Sequence, residues 1–151
     1  MIYLDIDGVL ADLEQWVYKV DSTFKKEDWF DSSRVDKVFK ENVNTVFLDS
    51  PRTRYFDYLK SVYDTNDCKL LTSAGNWWTD EEFEIVSNNK IKWCMSNGFD
   101  ANDVIIVKAA DEKLAYCNEG DVIYDDRRKT IENWNKKGGC GIYILNPARP
   151  W

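Results

Sequence analysis

The chain has 151 residues, 44% hydrophobic and 15% aromatic, with a formal net charge of −7; that length suits one domain, residues 1–151, with a full core and at most a small insertion. The acidic balance argues against a polyanion-binding surface, because nucleic-acid binders carry a basic patch that releases counterions, so no stable nucleic-acid binding is expected. The absence of histidine removes Ser-His and Cys-His nucleophile pairs and histidine-based zinc sites, which leaves a carboxylate as the remaining common nucleophile.

Ile2 to Ile6 form a short apolar run of β-branched and aromatic residues ended by Gly8, a pattern that predicts a strand buried on both faces. Asp5 and Asp7 sit at its C-terminal end. They read as turn formers before Gly8 or as functional acids, and an acid pair inside an apolar run carries a desolvation penalty unless a cation offsets it. Leu13, Trp16, Val17 and Val20 then recur at helical spacing. From Asp21 to Asp49 the spacing loosens around Phe24, Trp29, Phe30, Val35, Val38 and Phe39, which predicts short helices. Residues 13–50 thus form a candidate insertion, either a small helical cap over the carboxylates or a connecting helix pair packed on the sheet.

Ser50-Pro51 has the form of a helix start, Ser as N-cap and Pro at the first helical position, with Phe56, Leu59 and Tyr63 as the buried stripe. Cys68-Lys-Leu-Leu-Thr72-Ser73 predicts the second strand. Thr79-Asp-Glu-Glu82 has capping-box spacing for a helix ending at Asn97-Gly98. Val104 to Val107 follows as the third strand, Asp111 as the cap of a short helix through Tyr116, and Asp121 to Asp126 as a fourth strand ending in paired acids. Ile131 and Trp134 mark the last helix, stopped at Gly138-Gly139, and Gly141 to Leu145 is the fifth strand. The Pro-flanked tail, Asn146 to Trp151, is expected to be loosely held.

Strands alternating with helices predict a three-layer α/β/α, Rossmann-like fold around a parallel sheet. In such a sheet the C-terminal strand ends lie on one edge, where ligands bind. Asp5 and Asp7, Thr72 and Ser73, Lys108, and Asp125 and Asp126 are all expected there. Carboxylates gathered at one rim repel unless a hard cation sits among them, and an all-oxygen ligand set suits Mg²⁺. Mg²⁺ commonly shares its shell with a substrate phosphate, so phosphoryl transfer is the natural reaction class. The four cysteines, Cys68, Cys94, Cys117 and Cys140, form no Cys-x-x-Cys pair and suit free thiols in a reducing compartment. No run approaches transmembrane length and no basic, apolar leader opens the chain, so a cytoplasmic protein without membrane contact is expected. The oligomeric state is left open.

Asp5-Ile-Asp7-Gly8-Val-Leu10 resembles the first motif, DxDG(V/T)L, of the haloacid dehalogenase-like (HAD) phosphohydrolases. The longer stretch through Asp12-Leu-Glu14 is most similar to the 5'(3')-deoxyribonucleotidase branch and its small phage and bacterial relatives. The resemblance implies that Asp5 is the nucleophile and Asp7 the general acid and then base. Gly8 would let the backbone approach the phosphate, and Thr72 and Ser73 would bind the phosphoryl group as the second motif. Asp125 and Asp126 match the terminal acidic motif: Asp125 would ligate Mg²⁺ with Asp5 and the Asp7 carbonyl, Asp126 from the outer shell. For the phosphate lysine, Lys113 is favoured over Lys108 and Lys90, the last of which resembles a lysine preceding a helical Trp in the nucleotidases.

Two departures stand out: Ala74, where the nucleotidases tend to have Pro, and a shorter insertion after the first motif. The implied activity is hydrolysis of a small phosphate ester, a (deoxy)nucleoside monophosphate first. The alternatives are a polynucleotide 3'-end phosphatase and a receiver-like phospho-acceptor domain. Receivers place an acid at the end of the third strand, where this chain has Lys108. Trp16, Trp29, Phe30, Trp77 and Trp78 are candidates to stack a nucleobase, although most Trp residues of a small domain are core. Arg127 is expected to touch phosphate or pair with Asp126.

Overall fold

The structure, a computed structural model, describes residues 1–146; the expected loose tail lies outside the described residues apart from Asn146. The chain opens on a short first strand, β1 (Ile2–Leu4). Helix α1 (Leu13–Val20) follows β1, then a 3-10 turn (Lys26–Phe30), α2 (Ser32–Glu41), α3 (Phe56–Thr65) and β2 (Cys68–Ser73). After these come α4 (Asp80–Ser96), β3 (Val104–Val107), a 3-10 segment (Ala110–Tyr116), β4 (Val122–Asp125), α5 (Arg128–Lys136) and β5 (Cys140–Tyr143). The caps are those the sequence offers: Asp12 accepts from Gln15 N and Asp31 from Arg34 N, while Thr79 and Glu82 form a reciprocal capping box.

All five strands are parallel, in the order β3-β2-β1-β4-β5. Alternation along each strand divides the side chains between two apolar clusters. Leu4 and Leu70 pack with Phe56, Leu59, Trp93 and Cys94 of α3 and α4. Tyr3, Leu71 and Ile123 pack with Ile131 and Trp134 of α5 and with Cys117. Helices therefore cover both faces, which is the layered α/β arrangement expected. A third cluster joins Trp16, Phe24, Trp29, Phe39 and Phe47 of the first helical stretch to Ala74, Trp78 and Val86. That stretch thus has an aromatic core of its own, anchored on residues just past the C-terminal end of β2 and on α4.

Three local expectations are corrected. Ser50-Pro51 does not open a helix; α3 begins at Phe56. The Pro51 carbonyl accepts from Asp12 N (2.7 Å) and Thr53 N donates to the Leu10 carbonyl (2.9 Å), so residues 51–53 satisfy the loop after β1 instead. Asp111 caps nothing, because it lies inside the Ala110–Tyr116 segment, whose N-cap position is Ala109. Val20 is 40% exposed and is no part of the stripe formed by Leu13, Trp16 and Val17.

Candidate active site

Strand register brings the first acids together. Leu4 is level with Tyr124, and Asp5 N donates to the Tyr124 carbonyl at 3.0 Å, which sets Asp5 beside Asp125. With period-2 alternation both side chains fall on the face of Tyr3 and Ile123, the side from which the Ala110–Tyr116 segment supplies Lys113. Lys113 Nζ lies 3.1 Å from Asp5 Oδ1 and 2.7 Å from Asp125 Oδ2. Backbone donors complete the pair: Ile6 N on Asp5 Oδ1 and Arg127 N on Asp125 Oδ1, each at 2.8 Å. Burial pulls the Lys113 ammonium down, but the Asp125 and Asp5 carboxylates more than offset it and hold its pKa above the ordinary lysine value. Burial pushes the Asp125 carboxyl up, against the pull of Lys113.

Thr72 falls on the opposite face with Leu70, toward α4, and there a second lysine enters. Lys90 Nζ hydrogen-bonds Asp7 Oδ2 and lies 3.1 Å from Thr72 Oγ1. Asp7 Oδ1 is buried without a hydrogen-bond partner. Lys90, weighed below Lys113 on sequence, thus reaches the carboxylate cluster as well. Lys108 does not: its ammonium turns outward to Asp80 at 3.3 Å and packs over Phe83.

Asp126 joins the cluster from the residue after β4. One carboxylate oxygen from each of Asp5, Asp125 and Asp126 lies within 4.8 Å of the others, and all three residues are buried. Gly8 is at φ +81°, and a Cβ there would fall on Asp126 Oδ2, so this position needs glycine for both conformation and space. Asn146 Nδ2 donates to Asp126 Oδ2 (3.2 Å) and to the buried Glu14 Oε1 (3.3 Å), tying α1 to the end of the sheet. Sequence reasoning gave neither Glu14 nor Asn146 a role; their contact spans 132 positions. The four acids Asp5, Asp7, Asp125 and Asp126 outnumber the two buried ammoniums, Lys113 and Lys90, and offer hard oxygen donors. That donor set fits a divalent cation such as Mg²⁺.

A cleft of about 700 Å³ opens above these residues, in the size range of small-molecule sites. Its floor includes Asp5, Asp7, Lys113, Asp125 and Asp126, and Ser73, Gly75 and Asn76 follow from β2. The helical stretch contributes Trp29, Phe39 and Phe47, and Arg127 and Lys129 also line the cleft. Thr72 is fully buried beneath the cleft rather than lining it. Of the aromatic candidates, Trp29 and Trp77 line the cleft, Trp77 packing over Gly75 and stacking on Phe39. Trp16 and Trp78 are core, the latter bonded through Nε1 to the Ala74 carbonyl. Phe30 is 76% exposed and is not among the lining residues. The Arg127 guanidinium reaches Thr130 Oγ1 at 3.4 Å, while its backbone N–H serves Asp125.

All four cysteines are free, and burial pushes the Cys68 and Cys94 thiols up to about 11 and about 12, which leaves neither a ready nucleophile. No helix among the described residues is long and apolar enough to cross a membrane. No protein-family model matches the chain, and no curated protein matches it.

Proposed function

We propose that the chain is a Mg²⁺-dependent phosphomonoesterase of the haloacid dehalogenase-like kind, acting in the cytoplasm on a small phosphate ester, first a (deoxy)nucleoside monophosphate. The observation that carries this reading is the buried Asp5–Lys113–Asp125 unit at the floor of an open cleft, with Asp7 two residues beyond the proposed nucleophile. Asp5, Asp125 and the Asp7 carbonyl would hold the metal, with Asp126 behind them. When bound, Mg²⁺ supplies positive charge against the phosphoryl oxygens.

The chain's own groups supply the remaining steps. Asp5 Oδ1 is engaged by Ile6 N and Lys113, which leaves Oδ2 for phosphorus. Its attack forms an aspartyl-phosphate as the bond to the leaving oxygen breaks, and Asp7 gives that oxygen a proton. Asp7 then takes a proton from water, whose oxygen attacks phosphorus; the bond to Asp5 breaks and orthophosphate leaves. Lys113 and Ser73 line the cleft where phosphoryl oxygens would lie, and Trp29 and Trp77 are lining aromatics beside which a base would sit.

The test is turnover of p-nitrophenyl phosphate and of deoxynucleoside monophosphates by the unaltered chain and by Asp5→Asn, with Mg²⁺ and with chelator. The reading requires metal-dependent turnover that falls by on the order of 10⁴-fold in Asp5→Asn. Retention of most activity would rule out Asp5 as nucleophile, and preference for 3'-phosphorylated oligonucleotides would move the substrate to a polynucleotide end.

A further inference from the structure

We infer that Lys90, with the Phe47 ring set against it, is the positioning device for Asp7, an inference that rests on the phosphomonoesterase reading. Lys90 and Lys113 are buried alike, at 1% and 2% exposed, but Lys90 is not among the residues that line the cleft. Lys113, by contrast, lines it. What Lys90 does touch is Asp7 Oδ2 and Thr72 Oγ1. By holding Oδ2 it fixes the rotation of the Asp7 carboxylate, whose Oδ1 is buried with no hydrogen-bond partner. Asp7 itself lines the cleft.

The helical stretch holds the lysine in turn. Lys90 Nζ sits 4.1 Å from the centroid of the Phe47 ring. Phe47 has φ +70°, the one positive φ among the described non-glycine residues, and a bulky side chain is strained in that region. Such strain persists where the surroundings over-determine it. Here Asn89, next to Lys90 on α4, donates to the carbonyls of both Val43 and Val46 at 3.1 Å, and Val46 and Phe47 are buried. The turn before Phe47 is thereby fastened to the same helical turn that carries Lys90, and the ring is delivered onto the ammonium.

The step that depends most on Asp7 alignment is the one in which it takes a proton from water to free Asp5. With p-nitrophenyl phosphate the leaving nitrophenolate departs with the bonding electron pair and needs no proton, so formation of the aspartyl-phosphate is insulated from Asp7. Rapid mixing of Lys90→Met with p-nitrophenyl phosphate and Mg²⁺ should therefore release a burst of one nitrophenolate per chain. Turnover afterwards should be slower than in the unaltered chain by about 10²–10⁴-fold, the usual range for a lost acid–base group. Phe47→Leu, which keeps the Lys90–Asp7 pair, should show the same split to a smaller degree and decides the matter if Lys90→Met does not fold. A loss of burst and steady state by the same factor in the folded variants would overturn the inference, since a structural role or a direct phosphate contact would slow both. No turnover by the unaltered chain would overturn the phosphomonoesterase reading itself, and this inference with it.

Discussion

Lys113 and Lys90 are both buried, and both neutralise an acid at the tip of β1, yet they reach it from opposite layers of the molecule. Lys113 comes from the Ala110–Tyr116 segment on the α5 face and bridges two carboxylates at the floor of the cleft. Lys90 comes from α4 and meets one carboxylate, one hydroxyl and an aromatic ring in a sealed position. The difference is one of access. An ammonium that borders open space can trade part of its carboxylate contact for an incoming phosphate, whereas a sealed one can only hold what it already holds. Side-chain chemistry is identical in the two cases; the neighbours assign the work.

The largest expected effect that separates the two is the response of Lys113→Met to metal. Removing that ammonium leaves Asp5 and Asp125 facing each other in a buried site, which should cost about 3–5 kcal/mol of stability. Mg²⁺ binding at the same acids should recover much of it, so the Tm of Lys113→Met should climb more steeply with Mg²⁺ than that of the unaltered chain. Lys90→Met should lose stability as well but recover little, because the metal would not replace a charge on the α4 side. Equal recovery in both variants, followed by scanning calorimetry, would break the distinction.

Gly8→Ala probes the Asp126 side of the cluster. Its Cβ would displace the Asp126 carboxylate, and the left-handed backbone adds a penalty of about 1–2 kcal/mol. Mg²⁺ affinity by isothermal titration should drop about 10–100-fold, the range seen when groups supporting a metal's ligands are disturbed.

The smallest effect belongs to an exposed pair that contrasts with both lysines. At the end of α1, Asp21 accepts from Thr23 Oγ1 (2.6 Å) and pairs with Arg34 Nη2 (2.6 Å). The Thr23 hydroxyl first, then Arg34, lowers its pKa from 3.8 to about 2. A depressed carboxylate contributes stability above its unfolded pKa and loses it as pH falls through the folded one, here between about pH 4 and pH 2. In a ¹³C-detected titration Arg34→Ala should raise the Asp21 midpoint only part of the way toward 3.8, with little change in Tm at neutral pH.

Much of this arrangement was legible in the sequence because parallel topology alone sends strand ends to one edge. Asp5, Thr72 and Asp125 needed only correctly placed strands, and Val104–Val107 falls where the β-branched run predicts it. What escaped depends on contacts far apart in sequence. Lys90 lies in phase with Val86, Trp93 and Cys94 on the buried side of α4, a signal of burial, but its partner Asp7 is 83 positions away. Phe47 carries no local mark of a left-handed conformation, unlike a Gly or Asn, because its backbone is imposed by the Asn89 clamp and the surrounding core. Ser50-Pro51 misled for the converse reason: a local helix-start pattern lost to the backbone pairing of residues 51–53 with residues 10–12.

The account stands most directly on the identity of the atom that receives the phosphoryl group. Acid quenching during turnover of p-nitrophenyl phosphate, borohydride reduction of the acyl phosphate and peptide mapping would mark that residue as homoserine. The mark is predicted at position 5 and should be lost in Asp5→Asn. Steady turnover with position 5 unmarked, or a mark at position 7, 125 or 126 instead, would contradict it.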